Sequence, residues 1–352
     1  MKRRILYFTA PRQVEVREET LPALGPEEVL VEASCSAISA GTEMLIYQGR
    51  FPHDLETDSI ISSLRGSFRY PLAYGYACVG VVRETGRQVN SSWRDRLVFA
   101  FQPHCSHFIS KPEALLPVLP TLSPETACFL PKMETAVNLV QDGAPILGER
   151  VFVFGQGVIG LLTASLLKEF PLDLLVTGDC HELRRQASLE VGVSRCLDPN
   201  AEGFESELKD IFKNRAKHNM TNQFAYTQDK FDLTFELSGN PAALNQALAI
   251  TSFSGRIVIG SWYGDKNAGI DLGGAFHRSR IKLISSQVST IAPELSGRWD
   301  KSRRFEVTWK ALEKIGPEKW ITHRFPITEA EKAFHLLDED PRKTIQILIT
   351  YS

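Results

Sequence analysis

Val151-Phe152-Val153-Phe154-Gly155-Gln156-Gly157-Val158-Ile159-Gly160, continued by Leu161-Leu162-Thr163-Ala164-Ser165-Leu166-Leu167, is the stretch that decides the fold class. Four apolar residues in a row predict a strand covered on both faces, as in a parallel sheet flanked by helices. The GxGxxG pattern follows directly and opens an apolar helix. In that context Gly155 suits a tight turn, Gly157 lets a pyrophosphate approach the backbone, and Gly160 allows the helix to lie close to the strand. The free N–H groups and dipole at the start of the helix, at Val158 and Ile159, favour an anion there. A second apolar run, Leu174-Leu175-Val176-Thr177-Gly178, ends in Asp179, which stands 24 residues after Gly155. A carboxylate at that place can accept hydrogen bonds from the ribose of a bound adenosine. A ligand-free glycine turn with Asp179 as a helix cap is the alternative. It leaves the coincidence of strand, turn, helix and acid without a cause.

Working outward, strand and helix keep alternating. A helix is predicted near residues 181–191, a strand over Asp232-Leu233-Thr234-Phe235-Glu236-Leu237, a helix from Ala242 to Ile250, and a strand over Gly255-Arg256-Ile257-Val258-Ile259-Gly260. Such βαβ repetition gives a parallel, doubly wound sheet. The polar stretch over residues 201–230 reads as a helix with a variable loop. Before residue 130 the apolar runs are short and broken by Gly, Pro and Ser, as in Val29-Leu30-Val31 and Cys78-Val79-Gly80-Val81-Val82, which predicts an antiparallel barrel or sandwich. A polar insertion near residues 52–69 reads as a surface excursion. After Thr290 a helix (303–315), a strand (321–325), a helix (329–337) and a last strand (343–350) are expected to return to the first domain. The predicted division is residues 1–132 and 286–352 as a barrel-like substrate domain and 133–285 as a dinucleotide-binding domain, with substrate bound between them.

With 40 basic and 42 acidic residues in 352, a net charge of −2 and 43% apolar residues, the chain has no basic face for nucleic acid or anionic lipid. A small uncharged or acidic metabolite fits better. Six cysteines (Cys35, Cys78, Cys105, Cys128, Cys180, Cys196) show no CxxC pair, so neither a disulfide framework nor a zinc knuckle is indicated. Met1-Lys2-Arg3-Arg4 is followed by too short an apolar run for a signal peptide, and no run approaches the ~20 residues of a membrane helix. A soluble, cytoplasmic protein is expected. Its expected partners are a small-molecule substrate and a second copy of itself as a homodimer, without nucleic acid or membrane.

The sequence resembles the medium-chain dehydrogenase/reductase superfamily, in its zinc alcohol dehydrogenase-like group. The resemblance is carried by Val29-Leu30-Val31, Gly41-Thr42-Glu43, Gly75-Tyr76-Ala77-Cys78-Val79-Gly80, Thr135-Ala136, the Gly155 fingerprint and Glu236-Leu237-Ser238-Gly239. Within it, residues 130–138 (Leu-Pro-Lys-Met-Glu-Thr-Ala-Val-Asn) and Ser285-Ser286-Gln287-Val288-Ser289 look like the subgroup around bacteriochlorophyllide a 2-hydroxyethyl dehydrogenase. What this implies is a GroES-like β-barrel domain plus a Rossmann domain, an α/β protein that transfers hydride between NAD, or NADP, and an alcohol/carbonyl pair. An enone or quinone reductase of the same fold and a non-catalytic dinucleotide-binding protein are the rival readings. On the cofactor side the resemblance adds Arg184, five residues after Asp179. Ser238, Gly260 and Ser261 are expected on the nicotinamide side, because ligands sit at the carboxyl ends of such strands.

The departures from the group concern zinc. Its members carry a cysteine two residues before the Thr of the turn and a His-Glu pair after the glycine; this chain has Ala40 and Tyr76-Ala77 there, and Pro131 at the third ligand's place. Those side chains cannot supply thiolate and imidazole ligands, so no catalytic zinc is expected, and no four-cysteine lobe is present. His104-Cys105-Ser106-His107 is weighed separately. In an extended strand neighbouring side chains diverge, so these read first as packed or solvated, then as a histidine available for proton transfer, and last as a metal site. Without zinc, another group must stabilise the oxyanion or donate the proton. Thr42 matches the family's hydroxyl on the substrate oxygen, Tyr76 takes a lost ligand's place, and Glu134, with Lys132 beside it, lies near the third. Each has a plain structural reading as well: cap, barrel core, helix start, solvated charge.

Overall fold

The computed structural model describes residues 1–52, 69–216 and 229–351. They form two compact units, Met1–Pro131 with Thr308–Ser352, and Lys132–Val307. The polar insertion over residues 53–68 and the loop over residues 217–228 lie outside the described residues.

The first unit is built from β1 (Lys2–Ala10), β2 (Gln13–Thr20), β3 (Val29–Ala37), a short α1 (Glu43–Tyr47), β4 (Leu72–Ala73), β5 (Cys78–Thr85), β6 (Leu97–Ala100), β7 (His107–Ser110), β8 (Leu116–Pro117) and α2 (Pro124–Ala127). α3 (Leu130–Gly143) leads into the second unit. There β9 (Arg150–Phe154), α4 (Val158–Leu167), β10 (Leu174–Gly178), α5 (Glu182–Val191), β11 (Arg195–Leu197), α6 (Phe204–Ala216), β12 (Phe231–Glu236), α7 (Ala243–Ile250), β13 (Thr251–Ile259) and β14 (Lys282–Ser285) follow. The chain returns to the first unit within α8 (Lys301–Ile315) and ends in β15 (Ile321–Pro326), α9 (Ala330–Glu339) and β16 (Gln346–Thr350).

In the first unit one sheet runs β15-β16-β3-β5-β6-β8, with β7 also on β3, and a smaller one runs β2-β1-β4. The pairs are antiparallel except β15 with β16. This is the short-strand pattern that turn-bounded apolar runs predict. Phe334 of α9 stacks edge-on against Phe8 at 5.2 Å and lies over Tyr47 at 5.5 Å, so the C-terminal return closes the barrel's core.

The second unit holds a six-stranded parallel sheet in the order β11-β10-β9-β12-β13-β14. Val151 to Phe154 are 0–1% exposed, and full burial stabilises each such side chain by about 1.5–3 kcal/mol. The sequence reverses direction between β9 and β12. The turns after β9, β10, β12 and β13 therefore share the carboxyl edge of the sheet, tied by Gly155 N to Gly178 O (2.7 Å), Leu237 N to Phe154 O (2.9 Å) and Gly260 N to Glu236 O (3.1 Å).

Residues 286–307 were expected with the barrel-like domain, yet they are grouped with the parallel-sheet unit. The physical reason is a buried polar network. The Arg304 guanidinium, 0% exposed, donates to Glu134 Oε1 (3.0 and 2.8 Å), Asn138 Oδ1 (2.6 Å) and Thr290 O (3.1 Å). Lys301 adds a 2.7 Å bond to the same carboxylate, and Ser286 donates to Asp142 (2.6 Å). These contacts pull the 286–304 segment onto α3. Among the described residues no helix is long and apolar enough to cross a membrane.

Removing one partner of such a pair leaves a buried charge without compensation, which costs about 3–5 kcal/mol. R304M is expected to lower the urea unfolding free energy by about 3 kcal/mol, and E134Q in that background to recover part of it. A midpoint for R304M equal to the parent's would show that the network carries no stability.

Candidate active site

The fingerprint glycines divide by what a side chain would meet. At Gly160 a Cβ would lie 1.8 Å from Gly155 O, and at Gly155, with φ +85°, it would lie 2.6 Å from Leu237. Both are required by the strand–turn–helix packing itself. At Gly157 a Cβ would meet nothing within 4 Å. Its lack of a side chain is therefore not a packing requirement, and the open space above it lies at the uncapped N-terminus of the ten-residue α4. Val158 is buried, while Ile159 keeps partial exposure. The Gln156 side chain turns inward, bonding Gly155 O (2.9 Å) and receiving Ser188 Oγ (3.0 Å), so only its backbone faces the cradle.

Asp179, 6% exposed, holds the turn from the neighbouring strand end: Oδ2 accepts from Gln156 N (2.7 Å) and Oδ1 from His181 N (2.8 Å). Each oxygen keeps a second lone pair for another donor. Arg184 sits half-buried on the first turn of α5, and Arg185 is committed to Asp179 O (2.9 Å) and Asp198 (3.1 Å). At the ends of β12 and β13, the exposed Ser238 donates its N–H to the buried Glu236 carboxylate (2.8 Å), and Gly239 N donates to Ser261 Oγ (2.9 Å). Gly260 is fixed because a Cβ there would meet Leu139 at 2.5 Å. Glu236 also accepts from Tyr263, whose phenol is pushed far up by burial and by that carboxylate. Sequence reasoning gave no role to this Glu236–Tyr263 pair.

In the barrel unit the structure brings Thr42 and Tyr76 together. The Tyr76 hydroxyl donates to Ser39 Oγ and shares a hydrogen bond with Thr42. The ring keeps partial exposure, yet desolvation of the phenol raises its pKa, reinforced by the nearby Glu43. Behind this trio lies a buried polar chain. Glu43 Oε1 accepts from Ser39 N (2.9 Å), Glu43 Oε2 meets His104 Nε2 (2.8 Å), His104 Nδ1 meets Ser36 Oγ (2.6 Å), and Ser36 Oγ meets Tyr351 (2.5 Å). Glu43, His104 and Ser36 are all 0% exposed. His104 is thus a packed histidine; a Cβ at Gly75 would come within 3.0 Å of its ring. Ser36, Ser39 and Tyr351 escaped the sequence reading. Glu43 stood beside Thr42 as the only hint.

Glu134, named as a candidate beside these hydroxyls, is held in the other unit by Arg304 and Lys301. Lys132, on the same helix, is 4% exposed.

The donor set does not fit a catalytic zinc. Ala40, Tyr76, Ala77 and Pro131 offer no thiolate, imidazole or carboxylate. Cys35, Cys78, Cys105 and Cys128 are buried free thiols. Burial raises Cys105 to about 12 and Cys78 well above the usual thiol range. Among the described residues, three metal-ligating side chains gather only at Asp179, Cys180 and His181, so His104, Cys105 and His107 do not converge.

Comparison with known proteins agrees with this architecture. Residues 158–302 match the zinc-binding dehydrogenase family. The chain is 22% identical to the starvation-sensing protein RspB of Escherichia coli K12, covering 97% of each, and 22% identical to L-threonine 3-dehydrogenase of Xanthomonas euvesicatoria, covering 94% of each. Among solved structures, a short chain alcohol dehydrogenase (rspB) from Escherichia coli CFT073 complexed with NADH superposes with a TM-score of 0.76 at 18% identity, covering 99% of both chains. Alcohol dehydrogenase from Thermotoga maritima does so at 0.77 with 15% identity, covering both chains completely. The chain has the fold of the alcohol dehydrogenase-like proteins, a barrel-type unit joined to a Rossmann-type parallel sheet.

Proposed function

We propose that this chain is a medium-chain dehydrogenase/reductase, near the bacteriochlorophyllide a 2-hydroxyethyl dehydrogenase subgroup, that moves hydride between NAD(H) and an alcohol/carbonyl pair without a catalytic metal. The observation that carries it is the open cradle at Gly157 between two glycines that packing makes obligatory, with Asp179 at the neighbouring strand end. The NADH-bound relative of the same fold supports the nicotinamide assignment.

In this reading the backbone N–H groups from Gly157 to Ile159 hold the pyrophosphate, and Asp179 accepts the ribose hydroxyls. Ser238, Gly260 and Ser261 line the nicotinamide side, with Arg184 beside the adenosine. When bound, the nicotinamide supplies or accepts the hydride. Thr42 and Tyr76 serve the substrate oxygen: as hydride reaches the carbonyl carbon, the developing alkoxide takes the phenol proton, and the Ser39 hydroxyl turns its own O–H toward the phenolate. The phenol is protonated at neutral pH; desolvation raises its pKa, and the Ser39 and Thr42 hydrogen bonds, which stabilise the phenolate left after proton transfer, act against that rise. Glu134, neutralised by Arg304 and Lys301, holds structure and stays out of the proton path.

Two outcomes test this. NADH is expected to bind at least about tenfold tighter than NADPH, ~1.4 kcal/mol, because Asp179 repels a 2′-phosphate. D179A should narrow the gap. Fluorescence titration of both nucleotides measures this, and tighter NADPH binding to the parent would overturn it.

T42V and Y76F keep shape and remove a hydroxyl each. With a carbonyl substrate found from an aldehyde and ketone panel, each should lower reductive turnover by roughly 10²–10³, with NADH affinity unchanged and activity in chelator intact. Because the Tyr76 pKa lies above the ordinary 10.0, parent turnover should hold to pH 10 and fall only above it. If both variants stay within about threefold of the parent, a difference below ~0.7 kcal/mol, the oxygen is handled elsewhere. Consumption of NADH by enones alone would favour the conjugated-carbon reductase.

A further inference from the structure

Ala40, Tyr76, Ala77 and Pro131 offer no metal donors, but one other place does. Asp179, Cys180 and His181 offer a carboxylate, a thiol and an imidazole whose ligand atoms all lie within 4.8 Å of one another. Three consecutive residues of a regular strand could not do this, since their side chains alternate between faces. Here β10 ends at Gly178, and the bond from His181 N to Asp179 Oδ1 (2.8 Å) curls the chain back on itself. The Cys180 side is open to solvent, and the His181 imidazole has no hydrogen-bond or ion-pair partner among the described residues.

We propose that Asp179, Cys180 and His181 form a binding site for a divalent transition metal of zinc-like chemistry, and that metal and dinucleotide exclude one another there. A mixed O, N, S set suits zinc rather than magnesium or calcium, which prefer oxygen alone. Tetrahedral bonds of about 2.0–2.3 Å require donors roughly 3.3–3.8 Å apart. Rotation of the Cys180 and His181 side chains, both on the open side, closes the difference, and water takes the fourth place. Binding a metal turns the thiol into a thiolate and releases one proton to solvent, with no redox change. The carboxylate and thiolate then neutralise the dication. Arg184 acts electrostatically on both Cys180 and His181, so the metal has to displace its influence, while Arg185 is already paired with Asp198 and Glu182. Exclusion rests on the proposed cofactor reading: the metal occupies the Asp179 lone pairs that the adenosine ribose would use. The consequence is an enzyme that needs no zinc for catalysis and is inhibited by it.

The test uses the full chain, stripped with chelator and titrated with zinc chloride and, separately, cobalt chloride. Expected are one metal per chain, a sulfur-to-cobalt charge-transfer band, and at least about tenfold weaker binding in both C180S and H181A. In parallel, the apparent NADH dissociation constant should rise with zinc in the parent and stay flat in the two variants, which bind NADH normally without zinc. No charge-transfer band, or undiminished affinity in C180S and H181A, would overturn the site. Metal binding that leaves NADH affinity untouched would overturn the exclusion. Failure of the zinc-free parent to bind NADH would sink the cofactor reading and leave the metal site standing on its own titration.

Discussion

The contact between the turn after β9 and the helix that follows it constrains everything else in the parallel-sheet unit. A single added carbon at Gly160 would sit 1.8 Å from Gly155 O, far inside van der Waals distance. The helix can start where it does only because that carbon is missing. This closeness sets the position of the α4 N-terminus, and with it the direction in which the free N–H groups point. Gly155 in turn presses on Leu237, coupling the β9 turn to the β12 turn across the reversal point of the sheet. Four loops are thereby locked to one edge before any ligand is considered. Gly157 is the exception in this chain of collisions: a Cβ there would meet nothing within 4 Å.

The barrel unit solves a different problem: how to keep polar groups in a core without leaving them unsatisfied. Burying a polar group alone costs several kcal/mol, so Glu43 or His104 by itself would be a liability. Linked end to end, Tyr351, Ser36, His104, Glu43 and the Ser39 backbone satisfy one another. The chain ties β16, β3, the segment before β7 and the start of α1 together, and α1 begins one residue after Thr42. The Ser39–Thr42–Tyr76 hydroxyl cluster thus stands on a rigid base, which is what a preorganised donor set requires.

What the sequence made legible follows from where the signal lies. Strands buried on both faces, such as Val151 to Phe154, announce themselves by uninterrupted apolar runs. β11 and β14 did not, because they are the outer strands of the sheet: Arg195-Cys196-Leu197 and Lys282-Leu283-Ile284-Ser285 are short, partly exposed and mixed in polarity. The glycine turn and Asp179 were readable because the packing of Gly155 against Gly160 and the bond from Gln156 N to Asp179 depend on local spacing. The polar chain was not, since its links join residues 61, 68 and 315 positions apart. For the same reason, residues 286–307 were assigned to the wrong side of a boundary: nothing local in Arg304 says that its partner is Glu134, 170 positions away.

Glu134 and Glu43 show how far residue type is from role. Both are buried glutamates, 3% and 0% exposed. Glu134 meets two permanent cations, Arg304 and Lys301, so its charge is neutralised, and its Oε1 holds the 286–304 segment to α3. Glu43 meets the His104 imidazole and the Ser39 backbone N–H, with no arginine or lysine paired to it among the described residues. Glu43 also lies near enough to Tyr76 to add, after desolvation, to the rise of its phenol pKa. The environment, arginine in one case and imidazole in the other, makes one carboxylate a strut and the other a source of field at the hydroxyl cluster.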